Sequence, residues 1–392
     1  MKNRIRRWSI SAGILAMTFG LCGCTLVEKT AVQAGLKESP YYQNGDTWWE
    51  HGNIEEYYFN QIPSNLNEIY RELYERLKNY EDSADLYAAV GADDFWTAYY
   101  AVLADHPEFF WIGSTAQVKQ SAITGTVVGY EVTTTVDAAG RDGMKSQIEA
   151  AADECISQIS SDATEYQKIK YVYEYLINTT DYDSFSPDNQ NIQSALLNHR
   201  SVCAGYAKAF QYILHRMGMF CTYVTGKTMD GGDHGWNIVR IGGNYYNVDV
   251  TWGDPVFINQ MEAASSDSAM NYNYLCCTDA ELYITHVPES SVALPECTDD
   301  SYNYYKLNNL YYETFDYDTV YNAMMNSVWS DQGYFVMKFG SADAYRSAQY
   351  ELFQNDMLND AGQYLMGVYN VGSWNYRYHT DDDFNLITIY WK

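Results

Sequence analysis

The segment Ser201-Val202-Cys203-Ala204-Gly205-Tyr206-Ala207-Lys208-Ala209-Phe210 decides how the rest of the chain is to be understood. Tyr206, Phe210, Leu214 and Met217 recur at helical spacing and Gly218 supplies a stop, so a helix is expected to begin near Cys203. A cysteine there faces the unsatisfied N–H groups of the first turn and the positive end of the helix dipole. Both stabilise a thiolate, and the same N–H groups can receive a developing oxyanion. A purely structural cysteine gains nothing from such a position.

Further on, His234-Gly235-Trp236-Asn237-Ile238-Val239-Arg240-Ile241 is followed by Gly242-Gly243 and then Asn244-Tyr245-Tyr246-Asn247-Val248-Asp249-Val250-Thr251-Trp252. This pattern predicts two strands about a tight turn. Antiparallel pairing about the Gly-Gly turn puts His234 and Asp249 on one face as diagonal neighbours, with Cα atoms roughly 7–8 Å apart. A slip of one residue would separate them. Cys203, His234 and Asp249 therefore suit the roles of nucleophile, general base and orienting acid. Trp252 is placed to cover the His–Asp bond, and Asn237 is a candidate to support it by hydrogen bonding. His199, just before the cysteine, and His215, twelve residues along its helix, are less suitable bases.

In order, "SVCAGYAKAF", "HGWNIV" and "YYNVDVTWGDP" resemble the three signature blocks of the transglutaminase-like superfamily, a rearranged relative of papain. The resemblance covers residues 162–255. It implies an α+β fold with a papain-like/transglutaminase-like core, in which a helix-borne cysteine packs on an antiparallel sheet carrying histidine and aspartate. Residue by residue it implies Cys203 as nucleophile, His234 as base and Asp249 as orienting acid. Gln190 is the oxyanion candidate among the amides of residues 188–193. One departure is Gly235, where the family commonly has alanine; the change is mild. The implied chemistry is thioester-mediated acyl transfer on peptide or side-chain amides, with hydrolysis favoured and no cofactor required. Cross-linking to an amine, or a silent binding scaffold, are the alternatives.

The flanks add context. Lys2, Arg4, Arg6 and Arg7 precede an apolar run from Trp8 to Leu21, too short for a comfortable membrane span. It closes on Leu21-Cys22-Gly23-Cys24, which resembles a bacterial lipobox. Residues 1–23 are thus expected to be a lipoprotein signal peptide, with Cys24 the lipidated first residue. That implies an extracytoplasmic protein held to the bacterial membrane by its lipid anchor and meeting protein or peptide substrates at the envelope. Residues 24–53 suggest an unstructured tether, 54–160 an amino-terminal α/β region, 161–297 the catalytic domain and 298–392 a small carboxy-terminal α/β domain.

Within the amino-terminal region, helices are expected from a capping box at Asn65 and Glu68, over Phe95 to Leu103, and from a cap at Asp142, with a β-rich stretch over residues 123–136. Asp162 and Glu165 suggest the start of a further helix with Tyr166, Ile169, Val172, Tyr173 and Leu176 on its apolar face. The carboxy-terminal part predicts β-α-β-α-β-β order: strand over 304–315, helix over 317–328, strand over 334–339, helix over 342–357, and a closing hairpin.

With 51 acidic against 24 basic residues, a net charge of −27 argues against nucleic acid and anionic lipid as partners. Eight cysteines without C-x-x-C spacing speak against a disulfide framework or a zinc site. Cys276-Cys277 with His286, and Asp181-x-Asp183, are weak metal hints, so no metal site is expected. Tyrosine occurs 39 times without period, and such aromatic platforms can bind sugars or peptides.

Overall fold

The computed structural model describes residues 23–33, 36–41, 56–254, 270–330 and 332–391. Residues 1–22 of the expected signal peptide, the Cys24 side chain and much of the expected tether lie outside the described residues. The chain divides into two compact units, one running to Gly243 with Asp249–Thr251 and Val287–Glu296, the other comprising Asn244–Val248, Trp252–His286 and Cys297–Lys392. Helices and sheets are mixed in an α+β arrangement, as the sequence implies.

The first unit opens with a helix where a tether was expected, α1 (Gly23–Gln33). Lys29 Nζ and Gln33 Nε2 hold it by donating to the backbone carbonyls of Asp85 (2.8 Å) and Leu86 (3.1 Å). These two side-chain bonds tie it to residues 85 and 86, and no apolar period announced it. Next come α2 (Tyr57–Gln61), α3 (Asn67–Lys78), β1 (Ser83–Val90), α4 (Ala92–Asp105), β2 (Ile112–Gln120), β3 (Val127–Thr134) and α5 (Arg141–Ser157). The three strands form an antiparallel sheet in the order β1-β3-β2. The face of α3 is buried as expected through Ile69, Tyr70, Leu73 and Leu77. Its start differs: a 3-10 turn over Ser64–Leu66 leads into the helix, and no side chain caps it. Asp142 likewise sits in the first turn of α5, whose cap position is Gly140. The β-rich stretch narrows to β3, because Ser121 to Thr126 close a turn through Gly125 at φ +71°.

The helix α6 (Glu165–Thr179) buries Tyr166, Ile169, Val172, Tyr173 and Leu176. Its cap is Thr164 rather than Asp162: Thr164 Oγ1 accepts from the Gln167 N–H (3.3 Å), and Gln167 Oε1 accepts from the Thr164 N–H (2.8 Å). The short β4 (Asp181–Tyr182) and β5 (Arg200–Ser201) pair in parallel on either side of α7 (Ile192–Leu196). Then α8 (Cys203–Arg216) runs to the stop at Gly218, φ +71°. It packs on β6 (Cys221–Thr228) and β7 (Asp233–Ile241), an unbroken antiparallel pair with Tyr223 opposite Asn237 and Gly226 opposite His234.

In the second unit, β8 (Asn244–Val248) pairs with β9 (Leu275–Cys277). The short helices α9 (Val250–Gly253) and α10 (Asp279–Leu282) and strand β10 (His286–Pro288) complete the middle of the chain. Beyond them lie α11 (Tyr304–Leu307), β11 (Tyr311–Tyr312), α12 (Tyr317–Trp329), β12 (Tyr334–Phe339), α13 (Ala342–Phe353), α14 (Met357–Tyr369), β13 (Tyr376–Asp381) and β14 (Leu386–Trp391). The sheet order is β11-β12-β14-β13, with β11 parallel to β12 and the rest antiparallel. Met324, Phe335, Met337, Leu352, Leu358, Ile387 and Ile389 fill its core.

Two expectations here need correcting. The strand expected over 304–315 begins as a helical turn, because Asn303 Oδ1 accepts from the Tyr305 and Lys306 N–H groups. The helix expected over 342–357 ends at Phe353, and a second helix, Met357–Tyr369, begins only after Asp356, whose φ of +62° no right-handed helix accommodates.

Candidate functional site

Cys203 occupies the first turn of α8 because Val202 is extended (φ −117°, ψ 179°) and its carbonyl accepts from the Gly205 (2.9 Å) and Tyr206 (3.1 Å) N–H groups. The turn lies close against its support. A Cβ on Gly205 would stand 1.9 Å from Ser201 Oγ and 2.7 Å from Ser194 Oγ, so only glycine fits. Those two hydroxyls bond each other at 2.7 Å, and Ser201 Oγ also donates to the Asn189 carbonyl (3.1 Å). The thiol is half-buried, whereas Cys155, Cys221, Cys276, Cys277 and Cys297 are fully buried and free of disulfides.

His234 projects from β7 and Asp249 follows β8 across the turn at Gly242 (φ +58°) and Gly243 (φ +97°), the positive values a two-residue hairpin turn requires. His234 Nε2 meets Asp249 Oδ2 at 2.6 Å, with both side chains buried. Asp249 Oδ1 accepts from the Thr251 N–H (2.9 Å), which fixes the carboxylate plane. With Nε2 committed to Asp249, Nδ1 is the nitrogen left to interact with Cys203. Burial pushes the imidazolium down, but the charge and hydrogen bond of Asp249, joined by Cys203, outweigh it and raise His234 to about 10. The Trp236 ring stacks beside the imidazole at 6.2 Å and 21°.

The remaining expected residues each have contacts of their own. Asn237 is three residues from His234, which on a regular strand turns its side chain to the other face. Its Nδ2 donates to the Thr222 carbonyl (3.4 Å), so it serves the β6–β7 pair instead of supporting the histidine. Gln190 is exposed, its Nε2 donating to Asn189 Oδ1 (3.3 Å). Trp252 lies in α9 with its ring against Tyr274 (5.3 Å) and His286 (4.9 Å). His199 is exposed, and His215 Nε2 donates to the Cys221 carbonyl at 2.7 Å. Among the described residues, neither Cys276 nor Cys277 belongs to a group of potential metal ligands. Asp183 accepts from the Phe185 N–H (2.9 Å) and pairs with Arg200 (3.4 Å).

Three further groups surround the thiol. Tyr223 lies over Gly235, where a Cβ would stand 2.5 Å from its hydroxyl and 2.8 Å from its ring. The Lys208 ammonium, one and a half turns beyond Cys203 on α8, sits 5.6 Å above the same ring and donates to the Gln190 carbonyl (3.2 Å). Burial draws Lys208 down to about 8, against the pull of Cys203. Tyr182 is raised to about 12 by burial first and by the charges of Cys203 and Asp249 second. The departure at Gly235 was the one trace of this arrangement in the sequence.

The pair implies a pH dependence of stability. A histidine raised from 6.5 to about 10 stabilises the fold fully below the unfolded value, and that stabilisation fades as pH climbs through 10. An NMR titration of His234 is expected to show imidazolium persisting above pH 9, and Asp249→Asn to return its midpoint toward 6.5. A wild-type midpoint near 6.5 would exclude the ion pair. Gly235→Ala is expected to cost about 1–3 kcal/mol in chemical denaturation. Pairing it with Tyr223→Val should recover part of that loss; strictly additive losses would show that the Tyr223 ring is not the obstacle.

Residues 152–250 match the family model described as "Transglutaminase-like superfamily". Kyphoscoliosis peptidase of Homo sapiens is 25% identical over 166 residues, covering 37% of this chain and 24% of that protein. Its counterpart in Mus musculus is 24% identical over 170 residues, covering 38% and 25%. The match thus spans about a quarter of the length of these curated relatives. A solved structure of a TGase aligns at 14% identity over 40% of this chain and 47% of that one, with a TM-score of 0.26. The stretch that holds Cys203, His234 and Asp249 is the one that matches the transglutaminase-like superfamily model.

Proposed function

We propose that this protein is a cysteine-dependent hydrolase of peptide or side-chain amides, working through a thioester on Cys203, with His234 and Asp249 as its partners. The observation that carries this is the buried 2.6 Å contact between His234 Nε2 and Asp249 Oδ2, which leaves Nδ1 to the thiol. Cys203 Sγ adds to the amide carbonyl after its proton has passed to His234 Nδ1. The oxyanion is received by N–H groups of the first turn of α8, where intrahelical bonding begins only at Gly205. The tetrahedral adduct collapses to a thioester as His234 returns the proton to the departing amine. Water then attacks the thioester, His234 takes its proton, and the acid leaves with Cys203 restored. Asp249 holds the imidazole orientation and balances its charge throughout.

The Kyphoscoliosis peptidase relatives favour hydrolysis over amine transfer. The expected lipobox at Cys24 assigns the enzyme to the outer side of the bacterial membrane, with protein or peptide substrates at the envelope. Purified protein incubated with a protein substrate and a fluorescent primary amine is expected to yield fragments without labelled acceptor. Cys203→Ala should lose on the order of a thousandfold in turnover while keeping its circular dichroism, and His234→Ala nearly as much. Labelled acceptor would establish cross-linking instead, and unchanged turnover in Cys203→Ala would overturn the assignment.

A further inference from the structure

The second unit contains a cavity of about 350 Å³, bounded by α14 and the segment entering β13. Its wall combines two aromatic side chains, Trp374 and Tyr376, with four short polar ones: Asp356, Asn359, Asp360 and Gln363. No Lys, Arg or His lines it. The Trp374 indole nitrogen is buried without a protein acceptor. Its ring is held in place by stacking on Tyr369 at 5.6 Å and 26°. The polar groups are oriented in advance, since Asn359 Nδ2 donates to Asp356 Oδ1 (2.8 Å) and Tyr376 Oη donates to Asn359 Oδ1 (3.5 Å).

We infer that this cavity binds a neutral or amino-substituted sugar ring of a glycan. A pyranose presents a C–H face that suits the negative face of an aromatic ring, and a rim of hydroxyls. Carboxylates and amides, each with two polar atoms, match adjacent hydroxyl pairs, and an unpartnered indole N–H gains an acceptor. A wholly apolar ligand would displace water from the Gln363 amide and the Asp356 and Asp360 carboxylates without replacing its hydrogen bonds. An anionic ligand would meet Asp356 and Asp360 with no cation to offset them. The volume falls in the range of small-molecule sites. Tyr369, about half exposed on α14 and stacked on Trp374, extends the aromatic surface for further sugar units.

Isothermal titration of the full chain tests this with three soluble probes: the N-acetylglucosamine tetramer, the glucosamine tetramer and tetragalacturonate. The first two are expected to bind saturably and the polyanion not at all. Trp374→Ala should abolish binding. Asn359→Ala and Gln363→Ala, both at exposed side chains, should each weaken it about tenfold without altering the fold. Cys203→Ala should bind as the wild type does, so that this outcome is independent of the proposed catalysis. Silence from both neutral and amino tetramers up to roughly 10 mM would overturn the inference. So would binding unaffected by Asn359→Ala and Gln363→Ala, or saturable binding of tetralysine peptide in place of the sugars.

Discussion

The buried hydrogen bond between His234 and Asp249 is the constraint on which the site depends. An imidazole held at 2.6 Å from a carboxylate, both shielded from water, attracts a proton far more strongly than a histidine in solvent. Its position is determined by the two glycines at 242 and 243, whose positive φ values reverse the chain in two residues. The second carboxylate oxygen, tied to the Thr251 N–H, leaves Asp249 little freedom to rotate. Separating the partners would strand a charge in a dry interior, which ordinarily costs about 3–5 kcal/mol.

The thiol end is fixed by different means. No charge pair sets Cys203; a close approach of backbone does, at Gly205 against Ser194 and Ser201. Hydroxyl bonds among those serines and Asn189 link the first turn of α8 to the loop before α7. Tyr223 and Lys208 then complete the surroundings, one lying over the glycine beside His234 and the other one and a half turns along the helix from Cys203. The missing side chain at 235 therefore has a physical consequence: it gives an aromatic ring room beside the reacting groups. This makes Gly235 and Tyr223 a coupled pair that alanine at 235 would disturb.

Much of this was legible where burial and period coincide. The apolar faces of α6 and α8 emerge from the spacing of Ile169, Tyr173 and Leu176 and of Tyr206, Phe210 and Leu214. The Gly-Gly turn is equally plain. Less legible were elements built on small or polar residues. The buried positions of β1 include Ala84 and Ala88, which give little contrast with a loop, and α1 is held by lysine and glutamine bonds to backbone carbonyls. Caps were misjudged where several candidates stood close together, as with Asp162 and Thr164. Aromatic composition suggested a strand at 304–315, yet Asn303 captures two N–H groups and starts a helix. The side-chain surroundings of the thiol require tertiary pairing of β6 with β7, which no local pattern encodes.

The most direct measurement of the central claim is the rate of carboxamidomethylation by iodoacetamide at neutral pH, followed residue by residue by mass spectrometry of the folded protein. The wild type is expected to be modified at Cys203, and His234→Ala to react at least about tenfold more slowly at that same sulfur. Equal rates in the two proteins would mean that the imidazole does not act on the thiol, and the assigned chemistry would fall.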